Sequence, residues 1–252
     1  METSVFISLI ISVVIGVVIP VVTFVVMLLM NKIKLLQVIK GILASIVVNS
    51  IFLSAILTSI MQGLRVTSLV GFRMFIALAI YSFISLGMQF IIFKKVMRIE
   101  EEPENKEYIA LGYGGCYAFT LALTAFQNLV IGDHIRVGDI SYLSTMGIRD
   151  TQGVVSLFVP DKIGYFLSIG FQTLLVVGIQ LALVHFFYQY IMNKRNRYLT
   201  ASYILILVSN ILLYMSVYLS SILLLGVTMT ALLIVTYLCY GIKKSQLNLS
   251  TR

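Results

Sequence analysis

The sequence predicts an all-α protein that folds as a polytopic bundle of about seven transmembrane helices, in one integral membrane domain covering residues 1–252. Hydrophobic residues make up 60% of the chain and charged residues 11%, and the mean hydropathy is +1.02. A soluble domain needs a more polar surface than this composition allows. The apolar residues also form runs of about 20, the length that crosses the hydrocarbon core of a bilayer.

Seven segments have the length and composition of membrane spans. The first is predicted to be a retained helix, because it lacks a basic start and is longer than the signal-peptide core of about 7–15 residues. Pro20 interrupts this first span, and only a tight turn near Ser220 and Ser221 separates the last two. The predicted spans are residues 5–30, 38–61, 69–93, 108–131, 163–192, 199–219 and 221–242.

Basic residues concentrate in alternate connections, which predicts the orientation of the bundle. Thirteen of the 18 Lys and Arg residues fall on one side, and the positive-inside rule makes this side cytoplasmic. The N-terminus is then outside and the C-terminus inside. Abundant Tyr and Phe, the absence of Trp and an excess of Lys over Arg favour a bacterial cytoplasmic membrane. The thirteen are Lys32, Lys34, Lys40, Lys94, Lys95, Arg98, Lys106, Lys194, Arg195, Arg197, Lys243, Lys244 and Arg252.

Two connections stand out by their composition. The outer connection, residues 132–162, is long and mixes apolar with polar residues, so part of it is expected to lie in the interface or re-enter the bundle. It is also the expected surface for an external ligand. The inner connection carries five glutamates in Glu100–Glu107 without the ligand spacing of a calcium loop, which favours a solvated turn.

No charged site is expected inside the membrane. All ten acidic residues lie outside the predicted spans, His134 and His185 fall on opposite sides, and Cys116 and Cys239 share no ligand spacing. We therefore expect no cofactor, and the missing basic stripe excludes nucleic acid as a partner. The polar residues within the spans are neutral: Asn49, Ser54, Thr58, Ser82, Ser85, Gln89, Tyr113, Tyr117, Gln127, Asn128, Gln172, Gln180, Ser209 and Asn210.

The stretch LGYGGCYAFT, residues 111–120, opens the core of the fourth span with small residues. Positions four apart share one helix face, and small residues on that face let a neighbouring backbone approach closely. Two further glycines widen the groove. The predicted helix-packing residues are Ala110, Gly114, Ala118 and Ala122, with Gly112 and Gly115.

In layout, and in the motif GYGGCYA at Gly112–Ala118, the chain resembles the YhfC family of intramembrane metalloproteases, relatives of the PrsW and CAAX-processing proteases. The family motif G-H-G-G-x-E-A corresponds to this stretch. A second family motif, E-E-x-x-R, would fall on Ser85, Leu86 and Gln89, and a later family histidine near Gln172. The resemblance implies a metal site between these helices.

This chain departs from the family at the reactive positions. Tyr113 replaces the histidine, Tyr117 replaces the glutamate, and Ser85 and Leu86 replace the paired glutamates. Neutral tyrosine and serine are poor zinc ligands, because their oxygens must first lose a proton. The resemblance then implies a degenerate cavity lined by Ser85, Leu86, Gln89, Tyr113, Tyr117 and Gln172.

Three functions are compatible with the sequence. The leading expectation is a non-catalytic accessory, immunity or partner-binding protein, whose partners are the lipid bilayer and a membrane protein or peptide. The second is a small transporter or a permease subunit of a larger assembly. The third is an active protease that uses zinc held by relocated ligands from Glu100–Glu107 or Asp133–Asp161.

Overall fold

The computed structural model describes residues 1–30, 32–53, 70–147, 150–214 and 220–250, and all regular structure in these ranges is helical. Six of the described helices are long and apolar enough to cross a membrane, and a seventh is shorter. The predicted fold class is therefore confirmed. In chain order the helices are α1 (Thr3–Leu29), α2 (Leu35–Ser45, continued by the π-helical Ile46–Leu53), α3 (Val70–Ile91, continued by the π-helical Ile92–Val96), α4 (Lys106–Val137), α5 (Ser141–Thr145), α6 (Thr151–Val155), α7 (Ile163–Asn193), α8 (Asn196–Tyr214) and α9 (Ser221–Ser250).

Several helix ends differ from the predicted span ends, most of all those of α9, which continues past residue 242 to Ser250, and of α4. Helix α4 continues past residue 131 to Val137, because Arg136 pairs with Asp133 at 2.9 Å and lets polar residues extend the helix beyond the apolar run. Gly138 then ends it in the left-handed region, at φ +82°. The later parts of the second and sixth predicted spans, residues 54–61 and 215–219, lie outside the described residues.

Helix α7 is the centre of the bundle. It packs against α1, α4, α8 and α9, and 67% of its most apolar stretch is buried. Helix α2 packs on α4, while α3 packs mainly on α8. The bundle thus has an α3–α8 pair on one side of α7 and an α2–α4 pair on another.

Contacts between helix ends establish an alternating topology. The start of α1, the end of α4 and the start of α7 share one apolar cluster through Val5, Ile135 and Phe166. At the opposite end, Lys34 Nζ donates a hydrogen bond to Asn105 Oδ1 at 2.7 Å, just before α4 begins. We call the first end outer and the second end inner, in keeping with the positive-inside rule.

The outer connection folds back onto the bundle. Leu143 and Phe158 are buried in the apolar cluster at the outer end, with Leu143 fully inaccessible. Above it, the His134 ring stacks on Tyr142 with ring centres 3.6 Å apart. The hydrogen bond from the Ser141 hydroxyl is the largest cause that holds the pKa of Asp139 below its usual value, and the hydrogen bond with His134 is the next. This connection therefore forms a cap.

Candidate functional site

A polar cavity lies between the α3–α8 pair and helices α2, α4 and α7. The volume open to the centres of water molecules is about 30 Å³, which holds roughly two waters. Gln180 lies near the middle of the 31-residue α7, so the cavity is close to mid-membrane depth. Its lining is Asn49, Tyr81, Ser85, Gln89, Tyr117, Ile179, Gln180, Ile206, Ser209 and Asn210.

Helix α3 supplies a polar face to the cavity. Positions 82, 85 and 89 fall on one side of a helix, because they are spaced by three and four residues. Gln89 Nε2 donates to Ser85 Oγ at 3.0 Å, and Asn210 Nδ2 of α8 donates to Ser82 Oγ at 2.9 Å. The Asn210–Ser82 bond joins α8 to α3, whereas the Gln89–Ser85 bond lies within α3 and orients two side chains of the cavity wall.

Helix α2 contributes Asn49 from its π-helical segment. Asn49 Nδ2 donates to Ser45 Oγ at 2.9 Å, and the Tyr113 hydroxyl of α4 donates to Asn49 Oδ1 at 3.4 Å. Tyr113 itself is only 1% exposed, and its ring lies 5.5 Å from the Phe93 ring. Tyr113 therefore stands behind the lining and positions Asn49.

Helix α7 reaches the cavity with Gln180, because α4 leaves room for it. A Cβ at Gly114 would come within 3.0 Å of the Gln180 side chain. Glycine at 114 thus lets Cβ and Cγ of Gln180 pass close to the α4 backbone. The small residue has a direct role in shaping the site.

Two amide oxygens at the cavity have no hydrogen-bond partner. They are Gln89 Oε1 and Gln180 Oε1, on side chains that are 4% and 6% exposed. A buried acceptor without a donor costs about 1–3 kcal/mol. The cavity consequently favours an occupant that donates hydrogen bonds.

The structure brings three of the six residues from the resemblance to one cavity and separates the others. Ser85, Gln89 and Tyr117 line it. Tyr113 lies one layer behind, and Leu86 belongs to the apolar core. Gln172 does not line the cavity, because it lies two helical turns outward from Gln180, about 12 Å along α7.

The cavity also contains residues that the motif comparison does not identify. Asn49, Gln180, Ser209 and Asn210 are neutral polar residues within the predicted spans, and Tyr81 is one of many span tyrosines. The only feature of the sequence that could identify them as site residues is that they are polar residues within apolar runs. Which of them face one another depends on helix rotation and crossing, which a single sequence does not contain.

The ionisable residues that the structure describes are not grouped for metal binding. Among these residues, no three or more His, Cys, Asp or Glu side chains are grouped so that they could hold a metal ion. His185 is buried near the inner end of α7, with Nε2 3.5 Å from Gln189 Nε2. The acidic residues that relocated zinc ligands require lie in the connections or in the end turns of α4, and none described lines the cavity.

Comparison with known proteins finds no matching family model, no matching curated protein and no matching solved structure.

Proposed function

We propose that this multi-pass integral membrane protein is a non-catalytic binding protein of the bacterial cytoplasmic membrane, whose cavity receives a neutral polar side chain from a partner's transmembrane segment. The observation that carries the proposal is the pair of buried, unpartnered oxygens Gln89 Oε1 and Gln180 Oε1. A hydroxyl or primary amide would supply the donors that these acceptors lack.

The size and charge of the cavity favour such a group. Space for about two water molecules fits the head of a Ser, Thr or Asn side chain. The lining has no charged residue, so a charged occupant would lose its hydration without gaining a counter-ion. A neutral donor loses less hydration and satisfies the two oxygens.

The resemblance to YhfC-type metalloproteases is part of the proposal. The cavity lining supports this part of the proposal. It includes Ser85, Gln89 and Tyr117, which are three of the positions that correspond to the family motifs. On this interpretation, neutral residues have converted a hydrolytic site into a binding site, because hydroxyls and amides bind zinc poorly at neutral pH. Reconstituted with zinc and transmembrane peptides, the protein should cleave none; zinc-dependent turnover lost in Tyr117→Phe would contradict this conversion.

Binding can be measured with two synthetic transmembrane peptides, a polyleucine helix and the same helix with one central Asn. Energy transfer between labelled peptide and labelled protein in liposomes gives the two affinities. Interhelical hydrogen bonds contribute about 0.6–2 kcal/mol, so the Asn peptide should bind about 3- to 30-fold more tightly.

Two glutamine variants test whether the cavity is responsible. Gln89→Leu should remove the preference for the Asn peptide, whereas Gln172→Leu should retain it, because Gln172 is equally buried but lies away from the cavity. Equal affinity of the wild-type protein for both peptides would reject the proposal.

A second candidate function, a carrier of small neutral solutes, is favoured by the position of the cavity. Transporter sites commonly lie near mid-membrane depth, where helices are irregular, and Asn49 stands on a π-helical segment. Purified protein in liposomes should then accelerate the entry of urea or glycerol, and Gln180→Leu should slow it. Absence of flux above that of empty liposomes would reject this candidate.

A further inference from the structure

We propose that the inner ends of α3, α7 and α8 form a binding surface for anionic phospholipids. The surface, which we call the inner basic patch, is distinct from the cavity and does not depend on its function. It consists of Lys94, Lys95, Lys194, Arg195 and Arg197.

Aromatic packing brings the two lysines of α3 to the end of α7. The Phe90 ring of α3 lies 5.6 Å from both the Phe187 and the Tyr190 rings of α7. Lys94 Nζ stands 5.9 Å from the centre of the Phe90 ring. The end of α3 is therefore held against the last turns of α7.

The turn between α7 and α8 adds three cations within four residues. Helix α7 ends at Asn193, Lys194 adopts the left-handed conformation at φ 52°, and α8 begins at Asn196. Arg197 Nη2 donates to the Tyr198 hydroxyl at 3.0 Å, and its guanidinium lies 4.9 Å from the centre of that ring. Arg197 is thus oriented at the membrane boundary by an aromatic residue typical of that level.

The charge of the inner basic patch is not neutralised within the protein. None of its five cations forms an ion pair with another residue in the ranges that the structure describes. Of the five inner glutamates, Glu101 pairs with Arg98 at 3.3 Å and Glu102 accepts a hydrogen bond from Asn105 at 2.5 Å, and none of the five forms an ion pair with the patch in those ranges. The cations of the patch are therefore available to an external anion.

Apolar side chains beside the patch indicate that this anion carries hydrocarbon chains. Ile91, Val96 and Met192 flank the cations and are 51%, 62% and 59% exposed. A phospholipid matches both features, with its phosphate at the cations and its acyl chains on the apolar side chains. A soluble phosphate would match the cations but not the apolar side chains.

The test is native mass spectrometry of the full chain in detergent micelles, titrated separately with phosphatidylglycerol and phosphatidylcholine. We expect the wild-type protein to retain phosphatidylglycerol in preference to phosphatidylcholine. Raising the ammonium acetate concentration to about 0.5 M should reduce this preference through screening. The double variant Arg195→Gln/Arg197→Gln should weaken phosphatidylglycerol binding roughly tenfold or more.

A matched control removes the same charge elsewhere on the inner side. Lys32→Gln/Lys40→Gln, at exposed positions near α2, should keep the wild-type affinity within about twofold. Equal thermal stability of both double variants in phosphatidylcholine shows that each is folded. The proposal is overturned if the control loses as much affinity as the patch variant, if the patch variant loses none, or if millimolar glycerol phosphate displaces the lipid.

Discussion

Single glycines on α4 have different roles although they are neighbours in sequence. A Cβ at Gly112 would collide with the Val38 carbonyl oxygen, whereas a Cβ at Gly115 would meet nothing within 4 Å. Gly41 is the counterpart on α2, since a Cβ there would collide with the Ile109 carbonyl. The α2–α4 crossing therefore depends on particular glycines and not on the small-residue composition as a whole.

Gly112→Ala should destabilise the protein, because the added methyl group must push two backbones apart. Overpacking of this kind costs about 1–3 kcal/mol. The thermal midpoint of the detergent-solubilised protein should fall by several degrees. Gly115→Ala is the control and should leave the midpoint unchanged within about 2 °C; equal losses in both variants would contradict this assignment.

Tyr113 should matter more for its volume than for its hydroxyl. Tyr113→Phe loses one long hydrogen bond to Asn49, a change of about 0.6 kcal/mol. Tyr113→Ala removes a fully buried ring and should cost about 3–5 kcal/mol. Thermal unfolding of both variants distinguishes these effects, and a loss in Tyr113→Phe as large as that in Tyr113→Ala would refute this ranking.

At the scale of elements, irregular backbone decides where helices bend and end. Helix α1 contains the π-helical segment Val14–Val18, which ends two residues before Pro20 and accommodates a residue without an amide hydrogen. The π-helical segment Ile46–Leu53 has no proline in it and places Asn49 at the cavity. The first irregularity follows from the sequence, and the second is seen only in the structure.

The end of α4 provides a test at this scale. Gly138→Ala should lower the free energy of unfolding by about 1 kcal/mol, because residue 138 has a φ of +82° that alanine adopts with strain. Gly226→Ala is the matched control, since a Cβ there also meets open space but within a helix, where alanine is preferred. A thermal midpoint that falls in the control and not in Gly138→Ala would contradict the cap.

At the scale of the molecule, the alternating helices place Ser144 and Lys32 on opposite sides of the membrane. In a variant without Cys116 and Cys239, a membrane-impermeant maleimide added to intact cells should label Ser144→Cys and spare Lys32→Cys until the cells are opened. Both positions are exposed, so access depends on the side of the membrane. The opposite labelling would reverse the orientation, and labelling of both in intact cells would contradict the topology.

The spans are predictable because the bilayer imposes a length and a polarity on each helix separately. The run at 163–192 needs no tertiary information to be recognised, and it agrees with α7 within one residue at each end. Helix α4 extends farther than its apolar run, since Asp133, His134 and Arg136 add polar turns outside the hydrocarbon. Ends of this kind depend on side-chain pairing and capping, which hydropathy does not register.

The candidate site is less predictable for a physical reason. Ser85, Gln89 and Tyr117 carry a motif-level signal, but their meeting with Asn49, Gln180 and Asn210 depends on how α2, α3, α7 and α8 rotate and cross. The sequence by itself determined a neutral, helical membrane interior, because the free energy of removing a charged or polar group from water depends on each residue separately. Only the tertiary structure decided which polar groups share a cavity and which amide oxygens lack a donor, because those properties belong to distances between helices.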